Sequence, residues 1–344
     1  MQNMNIKDIA KIAGVAPSTV SRVLNNRSDV SEKTRGKILN IMEQYNYIPN
    51  NSARNLKIID SNTIGVLVKG IYNPFFSRII QSIEEKIAEQ GYSMTLNYNY
   101  NDSNDIDTAI QLIKEKKLEG LVCLGGNFEH LDEQQIKSLN VPIVIASANI
   151  IDQKNKSMVS SVTIDNEKAA FEAVDYLCNL GHTQIGLITT GIADRSIGRL
   201  RIQGYKKALK KHNIRIDENL MEIGEYTFES GYEAMEHLLD KNLEITAVFA
   251  TSDIMAIGAA KAALSRGLSI PEKISIIGFD GIEYTNYFHP ALTTMRQPQE
   301  EIGYKSIEIL FGLLKEEKKH QHVILKTELI QRKSCKRIKR ITSY

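Results

Sequence analysis

Cations set among short hydroxyl and amide side chains are the residues best able to do chemistry near the start of this chain. Residues 1–58 carry nine of them (Lys7, Lys11, Arg22, Arg27, Lys33, Arg35, Lys37, Arg54, Lys57) against four acids (Asp8, Asp29, Glu32, Glu43), a net charge of +5. The whole 344-residue chain is only +2, so the excess is local and marks a phosphate-facing surface. Catalytic signatures are missing: the sequence has no G-x-S-x-G, G-x-x-x-x-G-K-S/T or H-E-x-x-H pattern and no dinucleotide glycine fingerprint. Three widely spaced cysteines, Cys123, Cys178 and Cys335, form no C-x-x-C pair, so neither a zinc site nor a disulfide framework is expected. An enzyme, a cofactor and a bound metal are therefore not expected.

The elements that must position these cations are short helices. Ile9, Ala10 and Ala13, then Val20, Val23 and Leu24, then Ile38, Met42 and Tyr45 supply inward-facing apolar stripes, with Ser31 as N-cap of the third helix and Gly36 a weak point inside it. Gly14-Val15 suits a tight corner between the first two helices, and Pro17 suits the first turn of the second. That arrangement turns Ser18, Ser21 and Arg22 outward. Residues 50–57 can form barely two helical turns, too few to be stable alone.

The run Ile6-Lys-Asp-Ile-Ala-Lys-Ile-Ala-Gly-Val-Ala-Pro-Ser-Thr-Val-Ser-Arg-Val-Leu-Asn25 closely resembles the helix-turn-helix signature of the lactose-repressor/galactose-repressor family. The resemblance implies that the second helix enters the DNA major groove. There Arg22 offers its guanidinium fork to a guanine, Ser18 reads the neighbouring base, and Pro17 contributes only an apolar surface. It also implies backbone contacts from Thr19, Ser21, Asn25, Asn26 and Arg27. Ala16 departs from the Ser or Thr often found at this cap. In the family the leucine matching Leu56 wedges into the minor groove, with Arg54 and Lys57 on flanking phosphates and Ala53 small enough for two hinge helices to meet.

From Asn62 the texture changes to β-branched runs alternating with amphipathic helices. Strands are expected at 63–68, 92–97, 120–124, 142–146, 184–189, 247–250 and 273–278, and helices at 76–90 and 166–180. Asp165 and Asp253 read as helix caps and His182 as a packed loop residue. The expected fold is an all-α helix-turn-helix headpiece followed by an α/β core of two doubly wound parallel sheets, of about five or six strands each. The core resembles the same family's effector domain and periplasmic sugar-binding proteins, through Asn73-Pro-Phe-Phe, residues 162–166, 181–186, 194–205, 250–258, 277–281 and 290–298.

That likeness implies domains at 1–49 (headpiece), 50–60 (hinge), 61–163 with 296–323 (N-terminal subdomain), 164–295 with 324–334 (C-terminal subdomain) and 335–344 (basic tail). It implies a small-molecule site with apolar faces from Phe75 and Phe76, the polar pair Arg201 and Asp280, and further contacts from Arg195, Ser252 and Tyr226. Ser147 stands where sugar-responsive members often carry an acid. A carbohydrate effector is expected, with a purine or nucleoside as the alternative because Phe75, Arg195 and Phe76 could hold a flat ring. The expected whole is a transcriptional regulator binding a palindromic operator as a homodimer; a solute-binding protein without regulatory role fits the core but not the headpiece. The end of the chain shows no leucine heptads, which favours dimer over tetramer. Its six basic residues between Arg332 and Arg340 read as a solvated tail or an accessory nucleic-acid contact. Apolar runs such as 64–68 and 141–146 fall well short of the roughly 20 residues of a membrane span. With no secretory signal at the start, a cytoplasmic protein is expected.

Overall fold

Asn5 starts the first helix: its side chain accepts from the backbone of Lys7 and Asp8 while the Asp8 carboxylate accepts from the Asn5 N–H, a capping box. The computed structural model describes residues 4–24, 27, 29–45, 62–70, 73–99, 104–128, 132–148, 157–190, 197–241 and 244–338. The chain separates into two compact units, residues 1–61 and 62–344.

In the first unit, α1 (Ile6–Ala13), α2 (Pro17–Leu24) and α3 (Glu32–Gln44) pack around Ile9, Ala10, Ala13, Val20, Val23, Val30, Ile38 and Ile41. Gly14 closes α1 at φ 67°, the left-handed geometry its sequence position called for. Pro17 opens α2 as its first residue. Ser31 caps α3 by accepting from the Thr34 N–H. The stripe on α3 differs from expectation: Ile41 is buried, Met42 is half-buried and Tyr45 lies beyond the last helical residue, exposed. Ile38 and Ile41 enter the small three-helix core, with Met42 packed against its edge.

The second unit holds two six-stranded sheets among its described residues. In the first, β1 (Thr63–Lys69), β2 (Ser93–Asn99), β3 (Gly120–Leu124), β4 (Ile143–Ala146), β5 (Ser160–Ile164) and β11 (His322–Leu325) run parallel in the order β11-β5-β4-β3-β1-β2. In the second, β6 (Ile185–Thr190), β7 (Met221–Gly224), β8 (Ala247–Ala250), β9 (Ser275–Asp280), β10 (Thr293–Arg296) and β12 (Glu328–Ile330) follow the order β12-β10-β9-β8-β6-β7, with only β12 antiparallel. Strands β1, β3, β4, β6, β8 and β9 are buried almost end to end, as expected for strands covered on both faces. Several ends are shifted by one or two residues from the apolar runs. Strands β5, β7, β10, β11 and β12, short and partly polar, lie outside those runs altogether.

The helices fill in α4 (Phe75–Glu89), α5 (Asp105–Lys116), α6 (Glu133–Leu139), α7 (Asn166–Asn179), α8 (Ile197–Lys211), α9 (Phe228–Asp240), α10 (Asp253–Ser265), α11 (Tyr284–Tyr287) and α12 (Gln299–Leu314). The chain passes between sheets three times, after Ile164, after Arg296 and after Leu325. Ile254 and Ile282, from the second-sheet side, join the cluster of Ile64, Val66, Phe75, Ile79 and Ile302, so the two halves of this unit share apolar contact.

The expectation of a solvated C-terminal tail fails as far as Ile338. The Arg332 guanidinium donates to Thr285 Oγ1 (3.0 Å) and the Leu292 carbonyl (2.6 Å), Ser334 is fully buried, and the Ile338 N–H donates to the Leu180 carbonyl at 2.9 Å. Gly181, at φ 102°, makes the approach possible, because a Cβ there would sit 2.8 Å from the Ile338 carbonyl oxygen. His182 is packed as expected, with Nδ1 3.0 Å from Thr246 Oγ1 and Nε2 3.1 Å from the Lys336 carbonyl. Basic side chains and a strapped segment are compatible: the Arg332 guanidinium and main-chain bonds hold it, while Lys333 and Arg337 stay exposed.

Candidate nucleic-acid interface and small-molecule site

The face of α2 opposite Val20 and Val23 carries Pro17, Ser18 and Arg22 exposed, with Thr19 and Ser21 half-buried at its edges. Arg27, just beyond, is also exposed, and its carbonyl accepts from the Arg35 guanidinium at 2.5 Å. Arg22 reaches Asp29 at 3.5 Å, both side chains more than half exposed, an ion pair that sequence patterning did not reveal. Such exposed pairs are worth about 0–1 kcal/mol, so Asp29 keeps the guanidinium extended without locking it. No side-chain cap supports the start of α2: Ala16 contributes only its carbonyl, to the N–H groups of Thr19 and Val20. Asn25, Asn26, Ala53, Arg54, Leu56 and Lys57 lie outside the described residues.

In the second unit the named polar residues gather at the C-terminal ends of strands, where open α/β sheets bind ligands. Arg201, on α8, is 4% exposed and stands 3.8 Å from the Asp280 carboxylate at the end of β9. Its Nε donates to Asn166 Oδ1 (3.0 Å), another nitrogen donates to the Thr251 carbonyl (2.6 Å), and the guanidinium carbon lies 3.8 Å over the Phe279 ring. Asp280, at φ 115°, also accepts from Gln297 Nε2 at 2.7 Å. Burial pushes its carboxyl up to about 6, against the pull of Arg201, Gln297 and the Asp253 backbone N–H.

Ser147, just past β4, takes φ 55° and is almost fully buried. Its hydroxyl is the one buried side-chain polar atom among the described residues without a hydrogen-bond partner. Tyr226 also takes a left-handed conformation, φ 53°, and packs against apolar clusters on both sides of the unit. Ser252 is fully buried and caps α10, its Oγ accepting from the Met255 N–H. Phe75 and Phe76 open α4 with ring centroids 5.2 Å apart, edge to face, both inside the first-sheet core. Their faces in this state are spent on packing. Arg195 lies outside the described residues.

Two groups escaped sequence reasoning. Asp253, expected as a helix cap, is the first residue of α10 and caps nothing: the capping hydroxyl belongs to Ser252, and the Asp253 carboxylate is turned inward, completely buried. At the end of the first sheet, Asp105 accepts from Lys69 Nζ (3.0 Å), Asn99 Nδ2 (2.6 Å) and the Asn127 N–H (2.8 Å), joining the ends of β1 and β2 to the turn after β3. A lysine ending an apolar strand run was the available signal.

Residues 5–50 match the lacI family of bacterial regulatory proteins, and residues 174–335 match the periplasmic binding protein-like domain. Over 334 residues the chain is 48% identical to the HTH-type transcriptional regulator MalR of Clostridium butyricum, covering 96% of this chain and 99% of that one. It is 37% identical over 336 residues to the HTH-type transcriptional repressor CytR of Escherichia coli (strain K12), covering 96% of each. Among solved structures, the lac repressor dimer bound to operator and the anti-inducer ONPF superposes with a TM-score of 0.73 at 28% identity, over 97% of this chain and 100% of that one. The transcriptional regulator CelR–cellobiose complex gives 0.72 at 26% identity, over 96% and 99%. No helix among the described residues is long and apolar enough to cross a membrane.

Proposed function

We propose, because the chain belongs to the LacI family of bacterial regulatory proteins, that it represses transcription from a palindromic operator as a homodimer and that a carbohydrate controls it. It is a DNA-binding transcriptional regulator with a ligand-binding core. One observation carries the finer reading: a helix whose outer face presents Ser18 and Arg22 is joined in one chain to strand ends where Arg201, Asp280 and the unpartnered Ser147 hydroxyl are buried.

Arg22 reads a guanine edge, Ser18 the adjoining base, and Thr19, Ser21, Asn25, Asn26 and Arg27 fix the register on the backbone. Residues 50–60 act as the hinge, with Leu56 in the minor groove, Arg54 and Lys57 on phosphates and Ala53 at the dyad. Sugar hydroxyls pair with Arg201, Asp280, Arg195, Ser147 and Ser252, and Tyr226 supplies an apolar face, while Phe75 and Phe76 back the site from within the core. The two subdomains are 61–163 with 296–323 and 164–295 with 324–334; a ligand favouring one packing of these halves shifts DNA affinity by its differential affinity alone. The protein acts in the cytoplasm, where its DNA is. A carbohydrate is favoured over a purine because Phe75 and Phe76 are committed to the core.

The test is a melting-temperature screen of cellobiose, maltose, ribose, sugar phosphates, adenosine and guanine. A mobility shift follows on an operator selected from random duplex DNA, with and without the hit. A sugar that raises the melting temperature and changes operator affinity is the expected result. A nucleobase hit with no sugar response overturns the carbohydrate reading, and no selected duplex overturns the operator reading.

A further inference from the structure

We propose that Asp253 is a positioning residue of the small-molecule site, holding Ser252 and Asp280 in one geometry by tying the start of α10 to the turn after β9. The inference rests on the ligand reading above. Asp253 Oδ2 accepts from the N–H groups of Gly281 (2.6 Å) and Ile282 (2.8 Å), and Oδ1 accepts from Thr294 Oγ1 (2.6 Å). One side chain thereby joins α10, the β9–α11 turn and β10.

The turn needs that support. Asp280 at φ 115° and Gly281 at φ 76° stand side by side in the left-handed region. A non-glycine residue there persists only where its surroundings over-determine it. Gly278 leaves the space into which the carboxylate turns, since a Cβ at that position would collide with Asp253 Oδ1. Ser252, the neighbouring residue, is fixed by the same anchor while its hydroxyl caps the helix.

The charged groups facing Asp253 are Asp280 from β9, with Arg201 of α8 beyond it, and Arg332 from the C-terminal strap, itself beside Arg296 of β10. Burial first, and then Asp280, push the Asp253 carboxyl well above the usual range, against the donors on Thr294, Ile282 and Gly281. A neutral amide can replace it. In Asp253→Asn the carbonyl oxygen accepts from Gly281 and Ile282, and the Thr294 hydroxyl turns to accept from the amide nitrogen. In Asp253→Ala all three ties are lost.

The experiment uses the full chain labelled with 13C at aspartate Cγ. The Asp280 resonance, identified by its loss in Asp280→Asn, is titrated with pH, and cellobiose binding is measured by calorimetry. Asp253→Asn should leave the Asp280 midpoint near its position of about 6 and the sugar affinity unchanged. Asp253→Ala should move the midpoint down toward the ordinary carboxylate range, as water enters the loosened turn, and weaken cellobiose by about tenfold or more. If Asp253→Ala does not fold, Thr294→Val removes one tie alone and should move both readouts in the same direction by less. A folded Asp253→Ala or Thr294→Val variant with both readouts unchanged overturns the proposal. If the wild-type protein binds no cellobiose while another compound binds, that compound replaces it; if nothing binds, the ligand reading has failed, and the Asp280 midpoint alone decides the role of Asp253.

Discussion

Replacing Arg201 by methionine tests the most buried ion pair among the described residues. The substitution keeps an unbranched apolar side chain but removes the guanidinium over Phe279, the donors to Asn166 and Thr251 and the cation beside Asp280. Breaking a buried ion pair by deleting one partner costs roughly 3–5 kcal/mol, since it strands the other charge. At roughly 2–4 °C per kcal/mol for a domain near this size, the core should melt about 6–20 °C lower at pH 8. At pH 5 the penalty should shrink. The Asp280 carboxyl, pushed up to about 6 by burial, is then mostly neutral even in the wild type, and only unpaired polar groups remain, at about 1–3 kcal/mol.

The sign follows from proton counting. An acid whose folded-state value lies above its unfolded value binds more protons when folded, so stability falls as pH rises through that window. Arg201 lowers the folded value, so its removal widens the window upward and the variant keeps losing stability above pH 6, where the wild type has levelled off. Scanning calorimetry at both pH values provides the measurement. A melting temperature lowered equally at pH 5 and pH 8 would refute the linkage, and one unchanged at pH 8 would refute the stranded-charge reasoning.

Arg22→Ala should lower affinity for the selected operator by about 1–3 kcal/mol and relax preference at one base position, measured by mobility shift at fixed salt. Loss spread evenly over all sequences would make Arg22 a phosphate contact instead. Leu56→Ala should weaken specific binding and hardly alter non-specific binding in the same titration. Gly258→Ala should destabilise the core by about 1–3 kcal/mol in urea unfolding, because its Cβ would press on the Phe228 carbonyl where α9 and α10 pack closely.

The headpiece was legible because its determinants are local. Gly14 and Pro17 set backbone angles by covalent structure, Ser31 caps the helix that follows it, and the apolar spacing of α1 and α2 is read within eight residues each. Tyr45 was misplaced for want of a neighbour, since whether a stripe ends inside or outside a core depends on what packs there. The α/β alternation was legible for the strands buried on both faces, whose apolar runs carry their own signature. Strands β5, β7, β10, β11 and β12 were not, because edge or crossover strands draw their identity from partners distant in sequence.

The composition and order of residues determined by themselves a cationic three-helix unit and an α/β core, while Arg201 and Asp280 became candidates through the family resemblance. Only tertiary structure decided that the C-terminal segment is a strap, its backbone bonded to Leu180 and its Arg332 guanidinium to Thr285 and Leu292, and that Arg22 leans on Asp29. It also turned Asp253 inward. A carboxylate at the first residue of a helix reads as a solvent-facing cap from sequence, whereas its hydrogen-bond donors here, Gly281, Ile282 and Thr294, stand 28 to 41 residues away. Local spacing carries no information about a partner that only the fold brings within reach.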